Sequence, residues 1–346
     1  MNRKLASIRQ CAELRPIPGA DAIQIAVVDG WTCVVKIGEF SLGQKGVYFE
    51  IDSFLPIDDA RFEFLRRSSL RHMGEAEGFR LRTIRLRGQL SQGLFMPLSV
   101  FPEVDPAEPI GTDLTERLRV AKYEPPIPAD LSGKVIGPFP GFIPKTDEER
   151  VQNLVEEFAT WQGLSFIVTE KLDGTSFTAY QRDGRFGVCS RNWELSPEDP
   201  NSYWKVAEEN QLEQKLQRRN LAIQGELIGE GIQKNLYKLR GQHLFVFHVF
   251  DIDRHRYFSF AETEAFCQEN DLQVVPLVNP DFRLPPTIGD LLKLAEGTSL
   301  LNPQAIREGL VLRTADRKVS FKAISNAFLE EEGGFRAPAP LNSGVS

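Results

Sequence analysis

Along the first hundred residues, apolar and polar positions alternate in short runs that glycine interrupts. AIQIAVVDG, TCVVKIGEF, KGVYFEID, LRTIRLRG and LSQGLFMPL are each of strand length, β-branched or alternating. Short strands with tight turns predict a small closed barrel. A proline-rich passage follows, FPEVDPAEPIGTDL and then YEPPIPADLSGKVIGPFPGFIPKTDEE; its proline and glycine density predicts a surface linker, not the interior of an element. Beyond it the pattern changes. DEERVQNLVEEFATW, SPEDPNSYWKVAEENQLEQKLQRRN and FAETEAFCQENDL have helical spacing, while FIVTEKLDG, TSFTAYQRD, GRFGVCSRN, LAIQGELIG, HLFVFHVFDID, GLVLRTA and VSFKAI read as strands. The reading is an α+β chain of two domains: a barrel over residues 1–125, a linker over 126–144, a mixed domain over 145–330 and a flexible tail over 331–346.

Composition narrows the class. A length of 346 residues suits two domains, and 41% hydrophobic with 26% charged residues excludes collagen-like and wholly disordered chains. No apolar run approaches the roughly 20 residues of a membrane helix, and the opening MNRKLASIRQ lacks the apolar core of a secretory signal. Cys11, Cys33, Cys189 and Cys267 are scattered with no CxxC, so a reducing cytoplasm is expected. With a net charge of −7, any nucleic acid must be held by local basic patches. One such patch is evident. Arg61, Arg66, Arg67, Arg71, Arg80, Arg82, Arg85 and Arg87 face only Glu63, Glu75 and Glu77 in that stretch. In FRLRTIRLRG, Arg80, Arg82 and, after a change of phase, Arg85 and Arg87 alternate with apolar residues. On a strand they would line one face with guanidinium groups for phosphate contact, or else form a solvated face.

Lys171 is the chemical anomaly. It ends the apolar run FIVTEK, two residues before Asp173 and three before Gly174. A buried lysine needs a partner. It is either an edge residue snorkelling to solvent or a nucleophile, whose amine is freed when burial and nearby cations depress its pKa. Asp173 would hold a metal or orient the amine. Downstream, Glu226 in GELIGEGIQKN, Phe250 and Asp251 in FVFHVFDID, Glu308 before GLVLR and Lys322 in SFKAI also interrupt or end strands. Converging on one pocket, they would suit a nucleoside triphosphate: carboxylates for ribose or magnesium, lysine for the α-phosphate, phenylalanine for the base. No P-loop or GxGxxG offers another route. His243, His248 and His255 lack metal-ligand spacing; His248 shares the face of Phe250 and is expected to be a satisfied core histidine. Cys189 and Trp193 read as packing residues.

EKLDGTS resembles motif I of the covalent nucleotidyltransferase superfamily of polynucleotide ligases and RNA capping enzymes. Ser190-Arg191-Asn192, HVFDI, EGLVLR and SFKAI resemble motifs Ia, III, IV and V in the family's order. GELIGEGIQKN followed by FVFHVFDI is especially similar to ATP-dependent RNA ligases, and the N-terminal part looks like an OB domain. The resemblance covers residues from about 140 to 326. It implies the ligase clade that carries an N-terminal OB-type barrel ahead of a nucleotidyltransferase domain of antiparallel sheets flanked by helices.

What the resemblance implies is a three-step ATP-dependent RNA ligase. Lys171 would take AMP from ATP, AMP would pass to a 5′-phosphate, and a 3′-hydroxyl would displace it. Lys322 would meet the α-phosphate and help depress the pKa of Lys171. Glu226 would meet the ribose and the Mg2+ shell, Phe250 would stack on adenine, and Glu308 would support the metal with Asp173 beside it. Arg191, Lys145 and Arg150 would contact ribose or phosphates, and Glu170 belongs to the same nucleotide-binding set. Mn2+ would substitute for Mg2+. Arg80, Arg82, Arg85 and Arg87 would bind nucleic acid, the partner being RNA or RNA/DNA hybrid ends, with no membrane and no obligate protein partner. The chain departs from many ligases in motif V, where Ser320 replaces the first lysine of K-x-K. Too few residues follow Lys322 for a second barrel, which counts against a capping-type guanylyltransferase or a DNA ligase. A decayed, purely RNA-binding protein is the remaining alternative.

Overall fold

The structure, a computed structural model, describes residues 4–123, 134–198 and 201–332. The chain divides into two compact units, one of residues 1–126 with 329–346, the other of residues 127–328.

In the N-terminal unit the alternating runs form short antiparallel strands, as their period predicts. Lys45–Phe49 pairs on one side with Ala6–Gln10 and on the other with Leu94–Pro97. Glu13–Pro16, Ile23–Val28 and Trp31–Lys36 form a meander. A third sheet orders Ala121–Lys122, Ser53–Pro56, Ala76–Arg80 and Leu70–Met73, and Thr83–Leu86 pairs with Gln89–Gln92 in a separate two-stranded sheet. Ile8, Val47, Phe49, Leu55, Phe62 and Phe79 share one core, with Phe49 edge-on to Phe62 at 5.3 Å.

The single arginine face is not formed. Arg80 ends a strand of the third sheet, where it pairs with Asp52 at 2.9 Å and lies over the Tyr123 ring. Arg85 sits on the separate hairpin and pairs with Glu330, and Arg87 is in that hairpin's turn at φ 48. The change of phase in the sequence marks the point where the chain leaves one sheet for another. Upstream, Arg61 pairs with Asp59 and Glu103, and Arg66 with Glu63, so much of the patch is neutralised locally.

The second unit holds two largely antiparallel sheets; in the larger, Gln273–Val274 pairs in parallel with Gln242–Asp251. The larger runs in the order Val135–Pro138, Trp193–Leu195, Arg185–Cys189, Thr175–Arg182, Leu221–Gly229, Gln242–Asp251 and Arg256–Tyr257. The smaller runs Leu277–Arg283, Ser165–Lys171, Gly309–Arg313, Ser320–Ile324. Helices Ser202–Glu209 and Phe260–Glu269 contribute Val206, Ala207, Phe266 and Cys267 to the core of the larger sheet. Ile288–Ala295 buries Leu291, Leu292 and Ala295 in that of the smaller.

Three expectations need correction. The passage read as linker contains an edge strand, Val135–Pro138, where proline at the strand's end costs no ladder bond; residues 124–133 of that passage lie outside the described residues. The tail expected to be flexible over 331–346 begins within a helix, Asn326–Glu332; its residues 333–346 lie outside the described residues. The long helical stretch after Ser196 is two helices, broken where Gln211 takes φ 52.

Candidate active site

Antiparallel register brings the chemistry together. Lys171 is the last residue of its strand and pairs with Gly309, so Glu308 falls beside it, and the Lys171 Nζ lies 2.8 Å from Glu308 Oε1. A Cβ on Gly309 would stand 2.3 Å from the Ala323 carbonyl oxygen. Glycine after the acid is therefore what lets the Ser320–Ile324 strand lie this close. Val311 pairs with Lys322, and alternation puts both on the Lys171 side of the sheet. From the larger sheet, Glu226 acts electrostatically on Lys171, as does Asp173 from the turn after the strand. The Asp173 amide donates to the Tyr237 hydroxyl at 2.6 Å. At Gly174 a Cβ would meet the Leu227 carbonyl oxygen at 2.4 Å, which fixes glycine there.

The segment 145–150 reaches both sheets. Lys145 Nζ donates to Asn192 Oδ1 at 2.9 Å, and Arg191 pairs with Asp147 at 2.5 Å. The Lys322 amide donates to the Glu149 carbonyl at 2.8 Å, and Arg150 bridges Lys322 in parallel register. Thus Lys145, Arg150, Arg191 and Lys322 belong to one strapped cluster.

Glu170 and Phe250 are placed differently. Adjacent to Lys171 on the strand, Glu170 points to the opposite face; it is buried and accepts from the Leu300 amide at 2.8 Å. Its side chain pins a loop. Phe250 is 1% exposed, beneath Tyr257 at 5.0 Å and beside His255 at 5.3 Å. The rings that border open space are those of Tyr257 and His248, which with Lys145, Thr146, Asp147, Glu148, Arg313, Arg317 and Ser320 line a cavity of about 140 Å3. Tyr237, Tyr257 and Arg317 were not visible as site residues in sequence. They lie in loops, turns or a two-residue strand without periodicity.

The electrostatics reverse one expectation. Burial alone would lower the Lys171 pKa, but Glu308 and Glu226, with Asp173, outweigh it and hold the ammonium above the ordinary lysine range. Glu226 is pushed up to about 8, mainly by burial, with Glu308 and Asp173 adding repulsion against the attraction of Lys171. His248 is not satisfied either: it is buried with both ring nitrogens unpartnered among the described residues, and burial together with Arg313 and Arg317 holds it neutral.

The donor set fits a hard divalent cation. Glu308 Oε2 is buried without a hydrogen-bond partner among the described residues, and carboxylate oxygens are the ligands Mg2+ and Mn2+ prefer. Among those residues no three acidic, histidine or cysteine side chains are gathered to hold a metal alone, so Glu308, Glu226 and Asp173 are not a ready-made cage. Mg2+ is commonly bound by one or two carboxylates completed by substrate phosphates.

A lysine paired to a carboxylate, with a second lysine on the same face of the sheet, is the arrangement of a lysine-dependent nucleotidyltransferase. An OB-fold domain family matches residues 5–98 and the RNA ligase family matches residues 164–324. RNA ligase of Naegleria gruberi, solved as a mutant with AMP and Mn, is 48% identical, with 95% of this chain and 99% of that chain covered at a TM-score of 0.88. The same ligase with PPi is 48% identical, with 96% and 100% covered at 0.89, and a mutant with ATP and Mn is 48% identical, with 95% and 99% covered at 0.88. No curated protein matches the chain. The chain belongs to the RNA ligase family.

Proposed function

We propose that this protein is an ATP-dependent ligase that joins RNA 3′-hydroxyl and 5′-phosphate ends through a lysyl-AMP intermediate. The observation that carries this reading is the Lys171–Glu308 ion pair at 2.8 Å, with Glu226 and Asp173 within electrostatic range. Likeness to a ligase solved with ATP, AMP and Mn supports it. Lys171 must first give up a proton, and Glu308 is the acceptor in contact. The amine then attacks the α-phosphorus, an N–P bond forms, and the bond to the β-phosphate breaks to release pyrophosphate. A divalent cation, once bound, supplies neutralisation of the phosphate charge. Lys322 meets the α-phosphate, while Lys145, Arg150 and Arg191 hold phosphate or ribose. A 5′-phosphate then takes the AMP, and a 3′-hydroxyl displaces it to seal the strand.

The N-terminal barrel, residues 1–125, is the RNA-holding domain, with the hairpin arginines Arg85 and Arg87 and the neighbouring Arg82 its phosphate contacts; residues 145–330 carry the chemistry. RNA/DNA hybrid nicks are accepted as well as RNA, no protein partner is required, and the enzyme works in the cytoplasm. Among the described residues no helix is long and apolar enough to cross a membrane. Sealing of a 5′-labelled nicked duplex, with RNA or DNA supplying the 3′-hydroxyl in turn, tests the substrate. Ligation of neither strand by protein that forms lysyl-AMP would contradict it.

A further inference from the structure

Two long antiparallel strands, Leu221–Gly229 and Gln242–Asp251, could be joined by a tight turn, yet the whole segment 230–241 connects them. Its ends are pinched together. The Glu230 amide donates to the Gly241 carbonyl at 2.8 Å, and a Cβ on Gly229 would stand 2.1 Å from that same oxygen. The backbone between is strained: Gln233, Asn235 and Lys238 take φ of 46, 43 and 53, a left-handed region that such residues keep only where their surroundings hold them. A loop longer than its connection needs, and strained throughout, is the kind that carries function.

What this loop holds is the turn after Lys171. Tyr237 is 5% exposed and shares a core with Leu172, Ile228, Phe245 and Val275. Its hydroxyl accepts from the Asp173 amide at 2.6 Å, and Gln233 Nε2 donates to the Gly174 carbonyl at 3.2 Å. One loop thus grips two successive residues of the turn by their backbone. Its other contacts run to the segment that precedes Glu308. Asn302 Nδ2 donates to the Leu236 carbonyl at 2.8 Å, and Lys238 Nζ to Gln304 Oε1 at 2.9 Å. Glu170 closes the circuit by accepting from the Leu300 amide at 2.8 Å. Lys171 and Glu308 are therefore tied together by a route separate from their own ion pair.

We propose that Tyr237 and Gln233 are positioning residues for the first chemical step, acting through the backbone of Asp173 and Gly174 to aim the Lys171 amine. This rests on the ligase reading above. In that step the amine must line up with the α-phosphorus and the departing pyrophosphate, and misalignment costs rate more than binding. In the sealing step a 3′-hydroxyl attacks a 5′ end that already bears AMP, and no bond to Lys171 forms or breaks. Loosening the loop's grip should slow the first step and spare the last.

The test separates the two steps in the full chain. Tyr237→Phe removes the hydroxyl and keeps the ring in its core. Single-turnover lysyl-AMP formation at saturating ATP and Mg2+ should slow about tenfold, with the half-saturating ATP concentration within about threefold of wild type. Sealing of a nicked RNA duplex whose 5′ end is already adenylylated should stay within about threefold. Gln233→Asn tolerates a left-handed backbone but is one carbon too short, and should lose about threefold at the first step alone. Gln233 is exposed, so this variant decides the matter should Tyr237→Phe fail to fold. Tyr203→Phe is the control: it takes a buried hydroxyl from Thr175 Oγ1, 2.7 Å away, and should leave both steps unchanged. An undiminished first step in Tyr237→Phe or in Gln233→Asn overturns the proposal. So do equal losses at both steps, a loss confined to the half-saturating ATP concentration, or the same loss in Tyr203→Phe. Folded wild type that forms no lysyl-AMP would instead defeat the ligase reading itself.

Discussion

At the scale of single residues, the site is governed by three carboxylates around one half-buried amine. Lys171 is held charged by Glu308 first among the acids, so removing that acid must release it. Glu308→Ala should shift the pH midpoint for modification of Lys171 by an amine-selective reagent downward. Peptide mapping at several pH values reads this without any metal or nucleotide. Glu226 has the opposite consequence for stability. Its carboxyl binds a proton at about 8 when folded and at about 4.5 in the reference state. Between those values the folded protein holds the extra proton, so stability falls as pH rises from about 4.5 to about 8 and then levels. Glu226→Gln removes the ionisation. Its melting temperature should exceed that of wild type at pH 8 by a margin equivalent to about 1–3 kcal/mol and match it near pH 5. An equal gain at both values would contradict the account.

At the scale of elements, close strand approach is the organising constraint. Gly309 has no room for a Cβ against the Ala323 carbonyl, and it is the register partner of Lys171. Gly309→Ala should cost about 2–4 kcal/mol and displace Glu308, so thermal melting and lysyl-AMP formation should fall together. Retained melting with lost labelling would mean that the glycine serves chemistry alone. The strands that carry Lys171, Glu226 and Lys322 are legible because each is a largely apolar run that charged side chains interrupt or end, a signal that is local in sequence. The edge strand Val135–Pro138 was not, because proline and glycine hide a strand whose pairing partner, Trp193–Leu195, lies far along the chain. Nor could the arginine alternation reveal that Arg80 and Arg85 lie in different sheets. The charge state of Lys171 was misread for the same reason: it depends on which side chains meet it, and the expected cation, Lys322, is outweighed by Glu308 at 2.8 Å. His248 was read as satisfied because sequence shows its neighbours on the strand and not the cavity before it.

At the scale of the whole molecule, a net charge of −7 makes RNA binding a matter of local placement. Replacing Arg82, Arg85 and Arg87 with alanine should weaken sealing and lower the slope of log affinity against log salt by up to about 2.7, since each phosphate contact contributes roughly 0.9. Lysyl-AMP formation should be unchanged. Normal sealing by the triple variant at raised salt would leave the hairpin a solvated face.

The most direct test of the central claim is incubation of the full chain with Mg2+ and α-labelled ATP, or GTP, followed by denaturing electrophoresis. The account predicts label that stays on the protein with ATP, little or none with GTP, and none with either nucleotide in folded Lys171→Ala. Label that persists in Lys171→Ala, or none on folded wild type, would contradict it.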